Sequence, residues 1–157
     1  MKKIVDNWLD SELVEFLQIN FIYERPHWFG HTSLGKNQNI ENSFYNHTLD
    51  INEPINRYLF YKLTKTLKKR LQLIRMYFNV QWPNMNGVFH KDDGDITCLY
   101  MVTKSRKNND GSFEIKGDKR IQFIQNRLIC FDSNKMHRGL APNEGIRITL
   151  AFKTKIV

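Results

Sequence analysis

The alternation of apolar residues that begins at Leu73 constrains the fold of this chain more than any other feature of its sequence. From that residue on, side chains of like polarity recur at every second position, so that Ile74, Met76, Phe78 and Val80 share one face. Further strand-like runs follow at near-regular spacing, at 96–102, 112–115, 121–124, 127–131 and 146–152. This succession of short strands predicts an all-β sandwich or barrel.

Helices are predicted in the N-terminal part of the chain, before these strands. Residues 10–18 can form a first helix that Asp10 caps. Residues 53–71 form a longer helix, with Asn52 as its cap and Pro54 in its first turn. Its apolar stripe comprises Ile55, Leu59, Leu63, Leu67 and Leu71. The stretch 19–50 is irregular, so the predicted fold class is mainly β with N-terminal helices.

Length and composition predict a single globular domain that spans 1–157. Within it, 1–71 would supply helical support and substrate-side loops, and 72–157 the β-strand core. Hydrophobic residues make up 41% of the chain, which excludes a disordered protein. The net charge of +8 is compatible with nucleic acid, an acidic membrane surface or an anionic substrate as a partner. Because five basic residues lie between 62 and 70, a solvated helix face is the simpler interpretation.

The cysteine content and the hydropathy of the chain indicate where the protein works. Cys98 and Cys130 are too few for a disulfide framework, and both lie in apolar, strand-like runs. We interpret them as small buried hydrophobic residues in a reducing, intracellular setting. No uninterrupted apolar stretch follows Met1, and none elsewhere approaches the length of a membrane span. A cytoplasmic protein without membrane association is therefore expected.

Three residues of the β-strand region predict a metal site. His90 and Asp92 are two positions apart, so on an extended strand both side chains point to the same side. His137 follows 47 residues after His90. Two imidazoles and one carboxylate on one face of a metal are the ligand set of non-heme Fe(II) sites, which leaves coordination positions open for chemistry. His90, Asp92 and His137 are therefore the candidate Fe(II) ligands.

Arg147 provides a second indication of function. It lies ten residues after His137 and shares one face of the last predicted strand with Thr149 and Ala151. An arginine on a strand with apolar neighbours is costly to bury without an anionic partner. A bound carboxylate would satisfy its guanidinium with two parallel hydrogen bonds. A structural Asp or Glu is the alternative partner.

Three further histidines lie in the irregular stretch and have no assigned role. His27 and His31 are four residues apart, which would suit a metal on a helix. Pro26 and Gly30 argue against a helix there, so a metal site at this pair is not expected. A substrate-facing position, a surface position or packing against the rim of the barrel is expected for the histidines of this stretch, His47 included.

The ordered combination of these residues resembles the Fe(II)/2-oxoglutarate-dependent oxygenases. The resemblance covers about 72–153 and is greatest to the prolyl-4-hydroxylase-like branch, especially its short stand-alone members from viruses of bacteria. The segments that carry it are Arg75-Met76-Tyr77-Phe78-Asn79, Gly87-x-x-His90-x-Asp92, Asp110-Gly111-Ser112-Phe113, Phe131-Asp132 before His137, and Arg147-x-Thr149. Asp110 stands where the family often has the first glycine of a hairpin.

This resemblance implies a double-stranded β-helix, a cupin-like jelly roll with the metal near one mouth. It implies Fe(II) as cofactor, 2-oxoglutarate as cosubstrate and O2 as co-reactant. Arg147 and Thr149 would bind the distal carboxylate of 2-oxoglutarate, and Tyr77 would hydrogen-bond the cosubstrate. Tyr100 has the wrong parity for such a contact, because Met101 occupies the inward face. No catalytic residue beyond the metal ligands is implied.

The activity that the resemblance implies is hydroxylation of a C–H bond, with conversion of 2-oxoglutarate to succinate and CO2. A prolyl residue of a peptide or protein is the leading substrate. Nucleobase oxidative demethylation, with nucleic acid as the partner, is an alternative, because Arg147 and Lys153 loosely resemble the terminal Arg-x5-Arg of those demethylases. A basic, non-catalytic jelly-roll binding module and a zinc hydrolase are further alternatives, and both leave Arg147 unexplained.

Overall fold

The computed structural model describes residues 1–31, 43–104 and 110–157. Its helices are α1 (Ser11–Ile19), followed by a π-helical turn (Asn20–Glu24), and α2 (Pro54–Leu67). Its strands are β1 (Lys2–Val5), β2 (Trp28–His31), β3 (Phe44–Thr48), β4 (Leu71–Gln81), β5 (Ile96–Met101), β6 (Phe113–Ile115), β7 (Leu128–Asp132), β8 (His137–Gly139) and β9 (Arg147–Ile156). The predicted class, mainly β with N-terminal helices, is therefore confirmed.

Two antiparallel sheets organise the strands. The larger has the order β1-β7-β5-β9-β4-β3-β2, and β6 pairs with β8 in a separate two-stranded sheet. The longest pairing joins β4 to β9, from Leu71 opposite Ile156 to Gln81 opposite Arg147. Sheet neighbours such as β4 and β9 are distant in the chain, as in a jelly roll and unlike a simple meander.

The larger sheet separates two apolar clusters. On its outer face, side chains of α2 such as Leu59 and Leu63 belong to the same buried cluster as Met76 and Phe78 of β4. Because successive residues of a strand point to opposite faces, the intervening Tyr77 belongs to a second cluster. That second cluster includes residues from both sheets. The inner face of the larger sheet, toward β6 and β8, is therefore the face on which a site can form.

Helix α2 is shorter than its apolar stripe predicts. Pro54 lies at its start as predicted, but the N-cap residue is Glu53 and not Asn52, and no side-chain hydrogen bond caps the helix. The helix ends because Lys68 adopts a left-handed conformation with φ of 52°. Leu71 fits the helical stripe in sequence, yet its backbone pairs with Ile156 at the start of β4. Pairing between strands thus overrides the local helical pattern.

Several strands differ from the predicted set. The N-terminal region contributes β1, β2 and β3 to the large sheet, although the sequence pattern predicts helices and an irregular stretch there. Conversely, 121–124 is not a strand, and only a single bridge joins Ile121 to Phe113. The apolar alternation in that segment arises because Ile121 and Phe123 are both buried in the second, inner cluster.

The remaining sequence predictions concern the caps, the cysteines and membrane spans. Asp10 caps α1, and its side chain accepts a hydrogen bond of 2.9 Å from the backbone N–H of Leu13. Cys98 and Cys130 lie opposite each other on β5 and β7, and both are buried free thiols. No helix in the described ranges is both long and apolar enough to cross a membrane.

Replacing Leu63 with alanine should lower the free energy of unfolding by about 2–5 kcal/mol. Leu63 is fully buried between α2 and the large sheet, so the truncation leaves a cavity that the fixed strands cannot close. Tyr58→Ala on the exposed side of the same helix is the control and should change stability by no more than about 0.5 kcal/mol. Urea denaturation measures both values, and equal losses would show that α2 does not contribute to the core as described.

Candidate active site

Side chains of His90, Asp92 and His137 converge at the inner face of the large sheet. One ligand atom from each lies within 4.8 Å of the others. The Nε2 atom of His137 is 3.1 Å from Oδ2 of Asp92, and Nε2 of His90 is 3.5 Å from its Oδ1. The three residues that the His-x-Asp spacing and the distal histidine single out are thus brought together, in a group that could hold a metal ion.

Backbone pairing closes the long gap in sequence between these residues. His90 and His137 form an isolated antiparallel bridge in which each N–H donates to the carbonyl of the other, at 3.0 and 2.9 Å. On one side of this bridge the N–H of Gly87 donates to Gly139, and on the other the N–H of Asp92 donates to Ser133. The segment 87–92 is extended through these bonds, although it is not a continuous strand as predicted.

Both imidazoles are oriented in the form that a metal requires. Nδ1 of His90 lies 2.9 Å from the carbonyl oxygen of Val88, and Nδ1 of His137 lies 2.8 Å from that of Lys135. A carbonyl can only accept, so Nδ1 of each ring is the protonated nitrogen and Nε2 carries a lone pair. Two lone pairs and a carboxylate facing one another without a hydrogen between them fit a bound cation.

Electrostatics of the site favour the same protonation states. Burial alone would raise the pKa of Asp92, but the close approach of His137 and His90 and the charge of Lys153 hold it well below the usual value. Burial lowers the pKa of the His137 imidazole, although the nearby Asp92 opposes that shift. An ionised carboxylate beside a neutral imidazole is the donor set that Fe(II) prefers. The residues present therefore fit the metal that the sequence predicts.

Arg147 lies in the same cavity as the three candidate ligands. The cavity has a volume of about 270 Å³. Its lining combines the three candidate ligands with other polar side chains, a few apolar side chains and two glycines: Phe44, Arg75, Tyr77, Asn79, Gln81, Gly87, His90, Asp92, Leu99, Phe113, His137, Gly139, Arg147, Thr149 and Lys153. Arg147 is buried, with only 3% of the residue exposed. Its Nε donates to the carbonyl of Gly111 at 2.7 Å, and its Nη1 donates to Oε1 of Gln81.

No carboxylate of the described residues forms an ion pair with Arg147. Its two hydrogen-bond partners are neutral, and burial lowers the pKa of Arg147 to about 9, with the charge of Asp110 opposing that shift. A side chain at 139 would crowd the guanidinium, because a Cβ there would lie 3.1 Å from Nη2. A cavity-facing cation with neutral partners is suited to an anionic ligand.

Tyr77 and Thr149, which the family resemblance singles out, also line this cavity. Tyr77 comes from β4 and Thr149 from β9, and both are at least nine-tenths buried. Burial raises the pKa of the Tyr77 phenol, so it stays protonated and can donate a hydrogen bond at neutral pH. Arg75, Tyr77 and Asn79 line the cavity opposite the face of Met76, Phe78 and Val80, as the alternation predicts, and Gln81 continues their face at the end of β4. The alternation is wrong at the start of the strand, where a register shift between Leu73 and Arg75 packs Leu73 against the outer cluster and leaves Ile74 38% exposed.

Gln81 and Lys153 were not assigned to the metal or cosubstrate site from the sequence, although Lys153 loosely resembles the terminal arginine of the nucleobase demethylases. Gln81 accepts a hydrogen bond from Arg147 and so orients the guanidinium. Lys153 is 2% exposed and its Nζ contacts Oδ2 of Asp92. The signal for Lys153 is its parity, because it lies six positions after Arg147 on one strand and therefore on the same face.

Residues with no assigned role lie on the other side of the large sheet. The rings of His27 and His47 both pack against Phe78 in the outer region, and Nε2 of His27 is 2.6 Å from the carbonyl oxygen of Phe21. The side chain of His31 lies outside the described part of the structure. Tyr100 is fully buried in the outer cluster, as its parity predicts, while Met101 faces inward.

The fold is the double-stranded β-helix of the 2-oxoglutarate/Fe(II) oxygenases. A viral collagen prolyl hydroxylase from Paramecium bursaria chlorella virus 1, solved in complex with 2-oxoglutarate, is similar to this chain with a TM-score of 0.73 and 12% identity over 98% of this chain and 94% of that one. A prolyl hydroxylase of Trichoplax adhaerens, solved with a peptide of hypoxia-inducible factor, has a TM-score of 0.77 and 15% identity, covering 98% of this chain and 82% of its own.

A third similar structure widens the range of ligands that this fold accepts. HygX from Streptomyces hygroscopicus, solved with nickel, 2-oxoglutarate and hygromycin B, has a TM-score of 0.72 and 12% identity, covering 96% of this chain and 81% of its own. By sequence, the chain matches no protein-family model. It matches no curated protein by sequence either. At these identities the likeness establishes a shared fold, and the assignment of activity depends on the residues of the site.

Proposed function

We propose that this protein is an Fe(II)- and 2-oxoglutarate-dependent dioxygenase that hydroxylates a C–H bond. The observation that carries the proposal is the content of one cavity. It holds the converging donor atoms of His90, Asp92 and His137, together with Arg147, a buried cation without a carboxylate partner among the described residues. A metal site alone does not explain a buried cation beside it. A metal that binds a dicarboxylate explains both the three ligands and the cation, which would pair with the second carboxylate.

Each residue of the cavity has a distinct part in this function. His90, Asp92 and His137 would hold Fe(II), Arg147 would bind the distal carboxylate of 2-oxoglutarate, and Tyr77 and Thr149 would donate hydrogen bonds to it. When bound, the metal and 2-oxoglutarate supply the oxidation by O2 that hydroxylates the substrate and leaves succinate and CO2. The chain itself orients these ligands and shields them, since Phe113 and Leu99 line the cavity.

A prolyl residue of a peptide or protein is the substrate that we propose. Support comes from the viral and Trichoplax structures, both prolyl hydroxylases, and the latter was solved with a peptide. HygX shows that a similar fold binds the non-peptide hygromycin B, so the two classes must be tested side by side. A panel of proline-containing peptides, aminoglycosides and alkylated oligonucleotides, with succinate formation as the readout, separates them.

An anaerobic titration tests the proposed cofactor site directly. Metal-free protein is titrated with Fe(II) and then with 2-oxoglutarate, and the visible spectrum is recorded. A charge-transfer absorbance band should develop only when both are present, because it requires the cosubstrate to chelate the metal. Folded protein that shows no such band and binds no Fe(II) would contradict the proposal and favour a non-catalytic binding module.

A further inference from the structure

Lys153 is the least expected side chain of the cavity. It extends from β9 on the same face as Arg147 and Thr149, is 2% exposed, and its Nζ donates to Oδ2 of Asp92. The ammonium also lies 5.8 Å from the centre of the Tyr77 ring. A lysine with its long stem is rarely buried to this degree unless its charge is paired. Asp92, a candidate ligand of the metal, is the partner that pairs it.

Lys153 contacts only one of the two carboxylate oxygens of Asp92. Oδ2 accepts hydrogen bonds from Lys153 and also from Thr97, whose Oγ1 is 2.8 Å away. Oδ1 receives neither of these bonds and faces His90. Oδ2 also lies 3.1 Å from Nε2 of His137, so two donors already share the negative charge of an oxygen that faces the candidate metal site. The carboxylate therefore has less charge to offer a metal ion.

The charges around the cavity explain what else this contact does. Its described lining contains the cations Arg75, Arg147 and Lys153 but a single carboxylate, Asp92. Arg75 is paired with Asp93 outside the cavity at 2.8 Å. Arg147 and Lys153 therefore already outweigh Asp92 before a divalent ion enters, and the ion increases the positive excess. A doubly negative chelating ligand removes most of it.

We propose that Lys153 is a positioning residue that makes metal binding depend on the anionic cosubstrate. By sharing the charge of Asp92, it weakens the affinity of the site for a metal ion alone and leaves the affinity for the ion together with a dicarboxylate high. The two ligands then bind cooperatively, and by linkage each increases the affinity for the other by the same factor. This inference rests on the proposed function, because it assumes that the site binds a metal and 2-oxoglutarate.

The test compares wild-type protein with Lys153→Met, which keeps all but the terminal atom of the side chain's length and removes the charge, and with Lys153→Arg, which keeps the charge. The affinity for Mn(II) is measured from the electron paramagnetic resonance signal of the free ion, with and without saturating 2-oxoglutarate. Chelation alone produces some cooperativity, so the informative quantity is the change in the ratio of the two affinities. Turnover is not needed for this measurement.

Lys153→Met should bind Mn(II) alone at least about tenfold more tightly than wild type, because the repulsion from a nearby cation is removed. Its affinity ratio, with and without 2-oxoglutarate, should fall by a similar factor, and Lys153→Arg should keep a ratio near that of wild type. Unchanged or weaker Mn(II) binding in folded Lys153→Met, with an unchanged ratio, would overturn the inference and leave Lys153 a purely structural partner of Asp92.

Two outcomes in wild-type protein separate this inference from the proposed function. If wild type binds both ligands but its Mn(II) affinity does not rise with 2-oxoglutarate, the inference is overturned even if no variant folds. If wild type binds Mn(II) neither alone nor together with 2-oxoglutarate, the proposed function itself fails. Lys153→Gln serves as a second neutral variant with a polar end if Lys153→Met does not fold, as judged by circular dichroism.

Discussion

Replacement of His137 by alanine is expected to abolish the charge-transfer band and to lower Fe(II) affinity by at least about 100-fold. His137 is 2% exposed, and its imidazole offers the lone pair of Nε2 to the position between the two histidines. No other described histidine, cysteine or acid belongs to this ligand group, so none can replace it. Turnover of 2-oxoglutarate should fall with the loss of the metal.

His27→Ala is the matched control for this prediction. The same side chain is removed, but His27 packs against Phe78 on the opposite side of the large sheet. The His27→Ala variant should have the Fe(II) affinity and the charge-transfer band of the wild-type protein. A His137→Ala protein that folds, as shown by circular dichroism, and still binds Fe(II) with wild-type affinity would exclude this group of residues as the metal site.

Arg147→Met is expected to lower the affinity for 2-oxoglutarate by about 100-fold while leaving the affinity for the metal alone unchanged or slightly higher. The variant removes the fork that would bind a carboxylate, and it removes no candidate ligand atom of the metal. The affinity is measured as the concentration of 2-oxoglutarate that gives half of the charge-transfer band. Arg147→Lys should lose less, because it keeps the charge without the planar fork.

Two further variants sharpen this prediction. Gly139→Ala should lower the affinity for 2-oxoglutarate by about tenfold, because the new methyl group would lie 3.1 Å from Nη2 of Arg147 and displace the guanidinium. Arg57→Met on the exposed side of α2 is the control and should have no effect. An Arg147→Met protein with wild-type affinity for 2-oxoglutarate would assign the carboxylate to another cation of the cavity, with Arg75 as the next to test.

Short-range sequence pattern accounts for most of the central strands and for the choice of site residues. The alternation along β4 and β9 correctly places Tyr77 and Arg147 on the inward face, because a strand has a fixed two-residue period. Strands β1, β2 and β3 could not be predicted in this way. Their sequences lack a clear alternation, and they are strands because the edges of the large sheet provide hydrogen-bond partners for them.

The end of α2 shows the same limit in the opposite direction. Leu71 continues the helical stripe by its spacing, and the sequence predicts helix there. In the structure, ten pairs of residues join β4 to β9, and Leu71 forms the first of them. A single residue can satisfy both local patterns, so the larger number of backbone hydrogen bonds available in the sheet determines its conformation.

The sequence by itself determined which residues could bind a metal and which face of each strand they occupy, because the His-x-Asp spacing and the parity of Arg147 are properties of the local chain. Only the tertiary structure decided that His90 and His137 meet, since their bridge joins segments 47 residues apart. It also decided that Arg147 finds neutral partners and that Lys153 binds Asp92. These contacts depend on which strands become neighbours, and the packing of two sheets and two helices sets that order.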